Sequence, residues 1–152
     1  MKVALGADHA GFHFKESLKR FLEKKGLSYQ DLGCDSAAET DYTDFAKAVA
    51  FAVAKGEADR GIVICGTGIG SCMAANKVPG VRAALCHETF SAIASRQHND
   101  ANVLCLGARV IGEPLAQHVV NVWLDTAFSG DERHRRRIKK ISEMEGEARE
   151  AR

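Results

Sequence analysis

No stretch of this chain stays apolar for the roughly 20 residues that a membrane helix needs, and its first residues, MKVALGADHAG, lack a charged leader followed by a long apolar run. A protein free of the membrane is expected. Neither sign of charge prevails, since 21 Lys and Arg face 20 Asp and Glu, so nothing global draws the chain to nucleic acid or to an anionic surface. The five cysteines are odd in number and contain no C-x-x-C pair, which speaks against a disulfide frame and for a reduced, cytoplasmic setting. Six histidines stand at no metal-ligand spacing from the cysteines or acids, so no structural zinc is expected. Internal repeats and low-complexity segments are absent. With 152 residues the chain suits one domain, 1–152, with a sizeable core.

What is present is an alternation of short apolar runs and amphipathic stretches. KVALGA (2–7), LSYQDLG (27–33), RGIVIC (60–65), VRAALC (81–86) and NVLCLGA (102–108) predict five strands. Between them Phe14, Leu18, Phe21 and Leu22 recur at helical spacing up to Gly26, Phe45, Val49 and Val53 mark a second helix, and Leu115, Val119, Val122 and Trp123 a later one. Interior strands that are apolar throughout, rather than alternating, belong in a parallel sheet covered on both faces, a three-layer α/β/α sandwich. From Asp131 onward the chain becomes highly charged, with Ile138, Ile141 and Met144 as a thin apolar stripe. So narrow a stripe predicts a C-terminal helix, about 131–152, that packs on a partner subunit.

In open parallel sheets ligands bind beyond the carboxyl ends of the strands. Those ends carry Asp8 and His9, Cys65 and a glycine-rich loop, His87 and Glu88, then Gly107, Ala108 and Arg109. Acid, imidazole, thiol and guanidinium groups gathered there make an active-site inventory. Cys34, Cys72, Cys86 and Cys105 are most simply small core residues. Cys65 differs by its place, because amides of the following turn and a helix dipole would stabilise a thiolate there.

The loop CGTGIGS fits neither the G-x-x-x-x-G-K-[ST] phosphate loop nor a dinucleotide fingerprint, whose third glycine is replaced by Ser71. What remains is a nest of N–H donors at Gly66, Thr67, Gly68, Ile69 and Gly70, suited to an oxyanion or carboxylate; a simple tight turn is the plainer alternative. DERHRRRIKK gathers Arg133, Arg135, Arg136, Arg137, Lys139 and Lys140 near a helix start. The macrodipole disfavours cations there by a few tenths of a kcal/mol each, so the cluster asks for an anion, with Arg133 and Arg137 four apart on one face and able to grip one phosphate. A solvated basic tail is the alternative.

Seven motifs in order carry a family resemblance: GADHAG (6–11), TDY (40–42), ICGTGIG (64–70), AANK (74–77), SRQHND (95–100), LGARV (106–110) and RHRRRI (133–138). Together they resemble the type B ribose-5-phosphate isomerases, of a sugar-phosphate isomerase family that also holds allose-6-phosphate and galactose-6-phosphate isomerases. The resemblance implies a Rossmann-like fold and a pentose phosphate pathway reaction needing no metal or cofactor. It implies that Cys65 shuttles a proton between C1 and C2 of the open-chain sugar, that the Thr67 hydroxyl orients this base, and that the amides of Gly66, Gly68, Ile69 and Gly70 hold the enediolate. His98 would open the furanose ring, with Asp8 on the ring oxygen or a hydroxyl. Tyr42 and Asn99 would contact substrate hydroxyls, and His9, Arg109, Arg133 and Arg137 the phosphate, at a site built between two subunits of a dimer. Some family members place a glutamate base later in the loop; GSCM has no acid.

The expectation is therefore a cytoplasmic aldose-ketose isomerase acting on ribose 5-phosphate, a homodimer or a tetramer of paired dimers, with no nucleic-acid or membrane partner. A six-carbon sugar phosphate is the nearest other substrate. Two other classes stay open. A cysteine hydrolase would use Cys65 as nucleophile with His98 or His9 as base; a sugar-phosphate or nucleic-acid binding module would use the arginines alone.

Overall fold

The computed structural model describes residues 1–150, with side chains through residue 147. Five parallel strands, β1 (Lys2–Ala7), β2 (Ser28–Asp31), β3 (Arg60–Cys65), β4 (Ala83–Leu85) and β5 (Val103–Gly107), form one sheet in the order β2-β1-β3-β5-β4. The helices are α1 (Phe12–Lys24), α2 (Tyr42–Ala54), α3 (Ile69–Ala75), α4 (Thr89–Asn99), α5 (Glu113–Asp125) and α6 (Glu132–Glu150). This is the Rossmann-like sandwich that the alternating pattern predicts. Among the described residues no helix is long and apolar enough to cross a membrane.

Both faces of the sheet are apolar, and each has its own core. Val3, Leu5, Ile62, Ile64, Leu104 and Leu106 meet α1, α4 and α5 on one side, where Trp123 is wholly buried. Removing such an indole from water is worth on the order of 5 kcal/mol. On the other side Ala4, Val63, Val103 and Cys105 meet α2 and the segment around α3. Here the strands are cut down so that α2 can lie close: a Cβ on Gly6 or Gly61 would stand 2.7 or 2.6 Å from a methyl of Val49.

Two expected elements are shorter than their sequence runs. β2 keeps four residues of LSYQDLG, and β4 keeps three of VRAALC. At β4 the neighbouring side chains intervene: the Arg82 amide donates to Asn102 Oδ1 at 2.8 Å, while the Asn76 carboxamide accepts from the Ala83 amide and donates to its carbonyl, both at 2.9 Å. The phase of α5 also departs from expectation. Leu115 is exposed and Val122 only partly buried, and the core face is Ala116, Val119, Val120 and Trp123.

The C-terminal helix begins one residue after Asp131 and is fixed at both ends of its described span. His134 is buried against α4, and Glu145 accepts from the Gly80 amide at 3.0 Å. Between these points Ile141 is 41% exposed and Met144 61%. The stripe read from sequence therefore faces open space on this chain. Residues 151 and 152, the end of the expected helix, lie outside the described residues.

Candidate active site

Parallel strands end together, and three of them deliver the predicted residues to one place. β1 runs into Asp8, whose amide donates to the Ile64 carbonyl at 3.2 Å, one residue before Cys65. Asp8 then caps a 3-10 turn, its Oδ1 accepting from the Gly11 amide at 3.1 Å. A Cβ on Gly11 would stand 2.6 Å from the Ile64 carbonyl oxygen, so this turn can press against β3 only without a side chain. The Asp8 carboxylate is thereby kept buried beside the end of β3. His9 follows with its amide on Thr40 Oγ1 at 3.2 Å and its Nδ1 3.2 Å from both the amide and the carbonyl of Thr40. Its Nε2 carries no hydrogen bond among the described residues.

Cys65 closes β3 and is almost wholly buried. Gly68 takes the left-handed φ of +77°, and its amide donates to Cys65 Sγ at 3.1 Å. A Cβ on Gly68 would meet Leu85 Cδ1 at 2.5 Å and the Leu106 backbone at 2.9 Å. Glycine is thus required both for the turn and for the close approach. The α-helix that follows opens with amides lacking an intrahelical partner, and the macrodipole adds partial positive charge beside the sulfur.

The second partner of the sulfur is a residue that the sequence reading passed over. Ser71 Oγ lies 3.3 Å from Cys65 Sγ and is wholly buried. Thr67, expected to orient the base, is exposed and its Oγ1 accepts from the Ile69 amide at 3.3 Å. The structure brings Ser71, not Thr67, to the thiol. A serine inside an apolar helical segment looks like a small filler; only the turn of α3 over β3 reveals it.

Tyr42, the first residue of α2, lays its ring across Gly70. Arg109 donates its amide to the Gly66 carbonyl at 3.0 Å and holds its Nη1 3.5 Å from where a Gly66 Cβ would stand. The guanidinium is exposed and makes no ion pair among the described residues. His87, two residues beyond β4, supports this corner: its Nε2 accepts from the Gly107 amide at 2.9 Å. Burial pulls its pKa below the ordinary imidazole value, in keeping with a neutral ring that accepts.

His98, Asn99, Arg133 and Arg137 do not join this group. The first two close α4, which leads back to the start of β5, while Cys65 is level with Gly107 at its end. Four residue steps along a strand span about 13 Å, so the two clusters occupy opposite ends of the sheet. At the far end the His98 ring stacks on His134 with centroids 4.5 Å apart, and Ser129 Oγ lies 2.8 Å from His134 Nδ1. Burial first, then the charges of Arg133, His98 and Arg137, pull the His134 pKa down, with Asp131 opposing. Arg133 and Arg137 are exposed, as anion ligands must be.

The other cysteines divide. Cys34, Cys86 and Cys105 are buried as expected, and burial pushes the thiols of Cys34 and Cys86 up. Contact with Cys72, then burial, pushes Cys105 up further. Cys72 is only half-buried, and a hydrogen bond from Cys105 draws its pKa down against the effect of burial, with the Leu85 amide and Asn76 assisting.

Comparison with known proteins gives the family. The family model described as Ribose/Galactose Isomerase matches residues 3–141, and the chain belongs to that family. It is 47% identical to the ribose-5-phosphate isomerase B of Escherichia coli (strain K12), over 95% of this chain and 96% of that protein. It is 46% identical to the D-erythrulose-4-phosphate isomerase of Pectobacterium atrosepticum, over 86% of each chain. Among solved structures, ribose-5-phosphate isomerase B of Clostridium thermocellum superposes with a TM-score of 0.95 at 49% identity, covering 97% of this chain and 99% of the other.

Proposed function

We propose that this chain is a cofactor-independent aldose-ketose isomerase that interconverts ribose 5-phosphate and ribulose 5-phosphate through an enediolate. The observation that carries the reading is the buried Cys65 at the mouth of an amide-rich turn, with the free Arg109 guanidinium above the same turn, in a chain of this family. The Cys65 thiolate takes the proton from C2 of the open-chain aldose and returns it to C1. Negative charge builds on the substrate oxygen as the proton leaves, and the amides of Gly66 and Gly70 are its donors, those of Gly68 and Ile69 being on the Cys65 sulfur and the Thr67 hydroxyl; such preorganised donors act without reorganisation during the reaction. Asp8, buried beside them, serves the proton that moves between the hydroxyls. Tyr42 contacts a substrate hydroxyl, and His9 and Arg109 hold the phosphate, whose binding energy positions C1 and C2.

His98 as ring opener, Asn99 as hydroxyl contact and Arg133 and Arg137 as phosphate ligands require a second subunit, because their own chain holds them at the far end of its sheet. A cavity of about 870 Å³ supports the same reading. It lies away from Cys65, along β4 and α6, where Val81, Ala83, Ala84, Asn99, Ile141 and Met144 line it. Apolar side chains exposed along an otherwise highly charged helix suit a copy of the chain packed there. We infer a homodimer of single-domain subunits, working in the cytoplasm, where its five free thiols stay reduced.

A cysteine hydrolase fits less well. The sulfur's partners are the Gly68 amide and the Ser71 hydroxyl, and among the described residues no histidine is hydrogen-bonded to it as an activating base. The deciding experiment follows ribulose 5-phosphate formation in EDTA by the wild type and Cys65→Ala, beside erythrulose 4-phosphate and allose 6-phosphate. The pentose is expected to be turned over without added metal, and the variant to lose at least about 100-fold in kcat. A folded wild type inert towards the pentose would remove the proposal.

A further inference from the structure

Both contacts of the Cys65 sulfur come from its own loop: the Gly68 amide at 3.1 Å and the Ser71 hydroxyl at 3.3 Å. Ser71 Oγ also reaches the Gly68 carbonyl at 3.1 Å. A hydroxyl has one proton to donate, so the two contacts of Ser71 cannot both use it. When Cys65 is a thiol, its S–H can donate to Ser71 Oγ while Ser71 donates to the Gly68 carbonyl. A thiolate can only accept. The same hydroxyl then has a reason to rotate its proton onto the sulfur, giving the anion two donors. The Gly68 carbonyl is not orphaned by this change, because the Cys72 amide donates to it at 3.0 Å.

We propose that Ser71 is a positioning residue for Cys65, its hydroxyl proton turning from the Gly68 carbonyl to the sulfur when the thiol ionises, and back when the sulfur takes up a proton from substrate. No bond to the serine oxygen forms or breaks; only the direction of its O–H changes. The role rests on the reading of Cys65 as the base. Thr67, the other hydroxyl of the loop, is engaged by the Ile69 amide, and Cys105, the buried thiol nearby, is pushed up by Cys72 and by burial, against a smaller lowering by its contact with Ser71.

The test measures alkylation of Cys65 by iodoacetamide as a function of pH, with peptide mapping to separate it from the other thiols, in the wild type, Ser71→Ala and Ser71→Thr. It reads the sulfur directly and does not depend on turnover. In Ser71→Ala the midpoint is expected to rise by about one pH unit, the scale of one hydrogen bond to a charged group. Ser71→Thr, which keeps the hydroxyl, is expected to stay near the wild type. With ribose 5-phosphate, Ser71→Ala should lose about tenfold in kcat with KM little changed. An unmoved midpoint in Ser71→Ala overturns the proposal, and so does an equal rise in both variants, which would assign the change to packing. A shifted midpoint in a protein that turns over no pentose would leave the coupling standing and remove the isomerase reading instead.

Discussion

The ring of Tyr42 occupies the space that a side chain at Gly70 would need: a Cβ there would stand 2.5 Å from Tyr42 Cζ and 2.7 Å from its hydroxyl oxygen. The absence of a side chain at the start of α3 thus joins α2 to the amide-rich turn. Within a helix alanine is better than glycine by about 0.5–1 kcal/mol. Gly70→Ala should therefore leave the melting temperature unchanged or slightly raised while kcat/KM falls, by about tenfold, as the ring is displaced. Equal activity in wild type and variant would show that Tyr42 has no part in the site.

Gly68 and Gly26 share a left-handed φ, +77° and +72°, but only Gly68 has neighbours within reach of a Cβ. Alanine at Gly26 meets only the backbone penalty, about 1 kcal/mol. Alanine at Gly68 must also displace the Leu106 backbone and Leu85, raising the cost to roughly 3 kcal/mol or more. Denaturant midpoints of the two variants compare the costs directly, and a Gly68→Ala no worse than Gly26→Ala would contradict the packing described.

If each site takes Cys65 from one subunit and Arg137 from another, two inactive proteins can repair each other. Unfolding and refolding Cys65→Ala together with Arg137→Ala should yield half mixed dimers, each with one intact site, and so about a quarter of wild-type activity. Activity that never exceeds the sum of the two parents would place both residues in one chain's site.

Asp31 closes a charged network with Lys15 at 2.6 Å and Lys19 at 3.0 Å. Burial raises its pKa, but hydrogen bonds from Lys15, the Gly33 amide and Lys19 outweigh it and hold the carboxyl below its ordinary 3.8. A carboxylate depressed in the folded state contributes stability that is complete above its unfolded pKa and is lost as pH falls through the folded one. Asp31→Asn should cost about 2 kcal/mol at pH 7, less than the roughly 3–5 kcal/mol of breaking a fully buried pair, because Glu16 still faces the buried Lys15. Urea unfolding at pH 7 and near pH 3 should show that difference shrinking in acid; a constant gap would mean the charge is not its source.

Strands β1, β3 and β5 were legible because each is apolar on both faces, which only a covered parallel sheet explains. β4 is shorter than its apolar run because the Arg82 and Ala83 amides are taken by the side chains of Asn102 and Asn76, partners that no local pattern signals. Strand ends can be read off directly, which is why the sequence places Asp8, His9, Cys65 and Arg109 at one end of the sheet, where the structure has them. Ser71 could not, because its hydroxyl matters only through the fold of α3 over the sulfur. The separation of His98 and Asn99 from Cys65 was implicit in the order of elements: residues closing a helix after a parallel strand return to the opposite end of the sheet from residues closing a strand.

The Asn76 carboxamide, bonded to the amide and the carbonyl of Ala83, and Cys72, in contact with the Ala83 carbonyl at 3.5 Å, together seal the outer border of the sheet. Main-chain groups left bare on such a border invite another strand to add itself. Here they are already occupied from within. A copy of the chain settling against β4 would therefore be recognised through side-chain shape and not by continuation of the sheet at that edge.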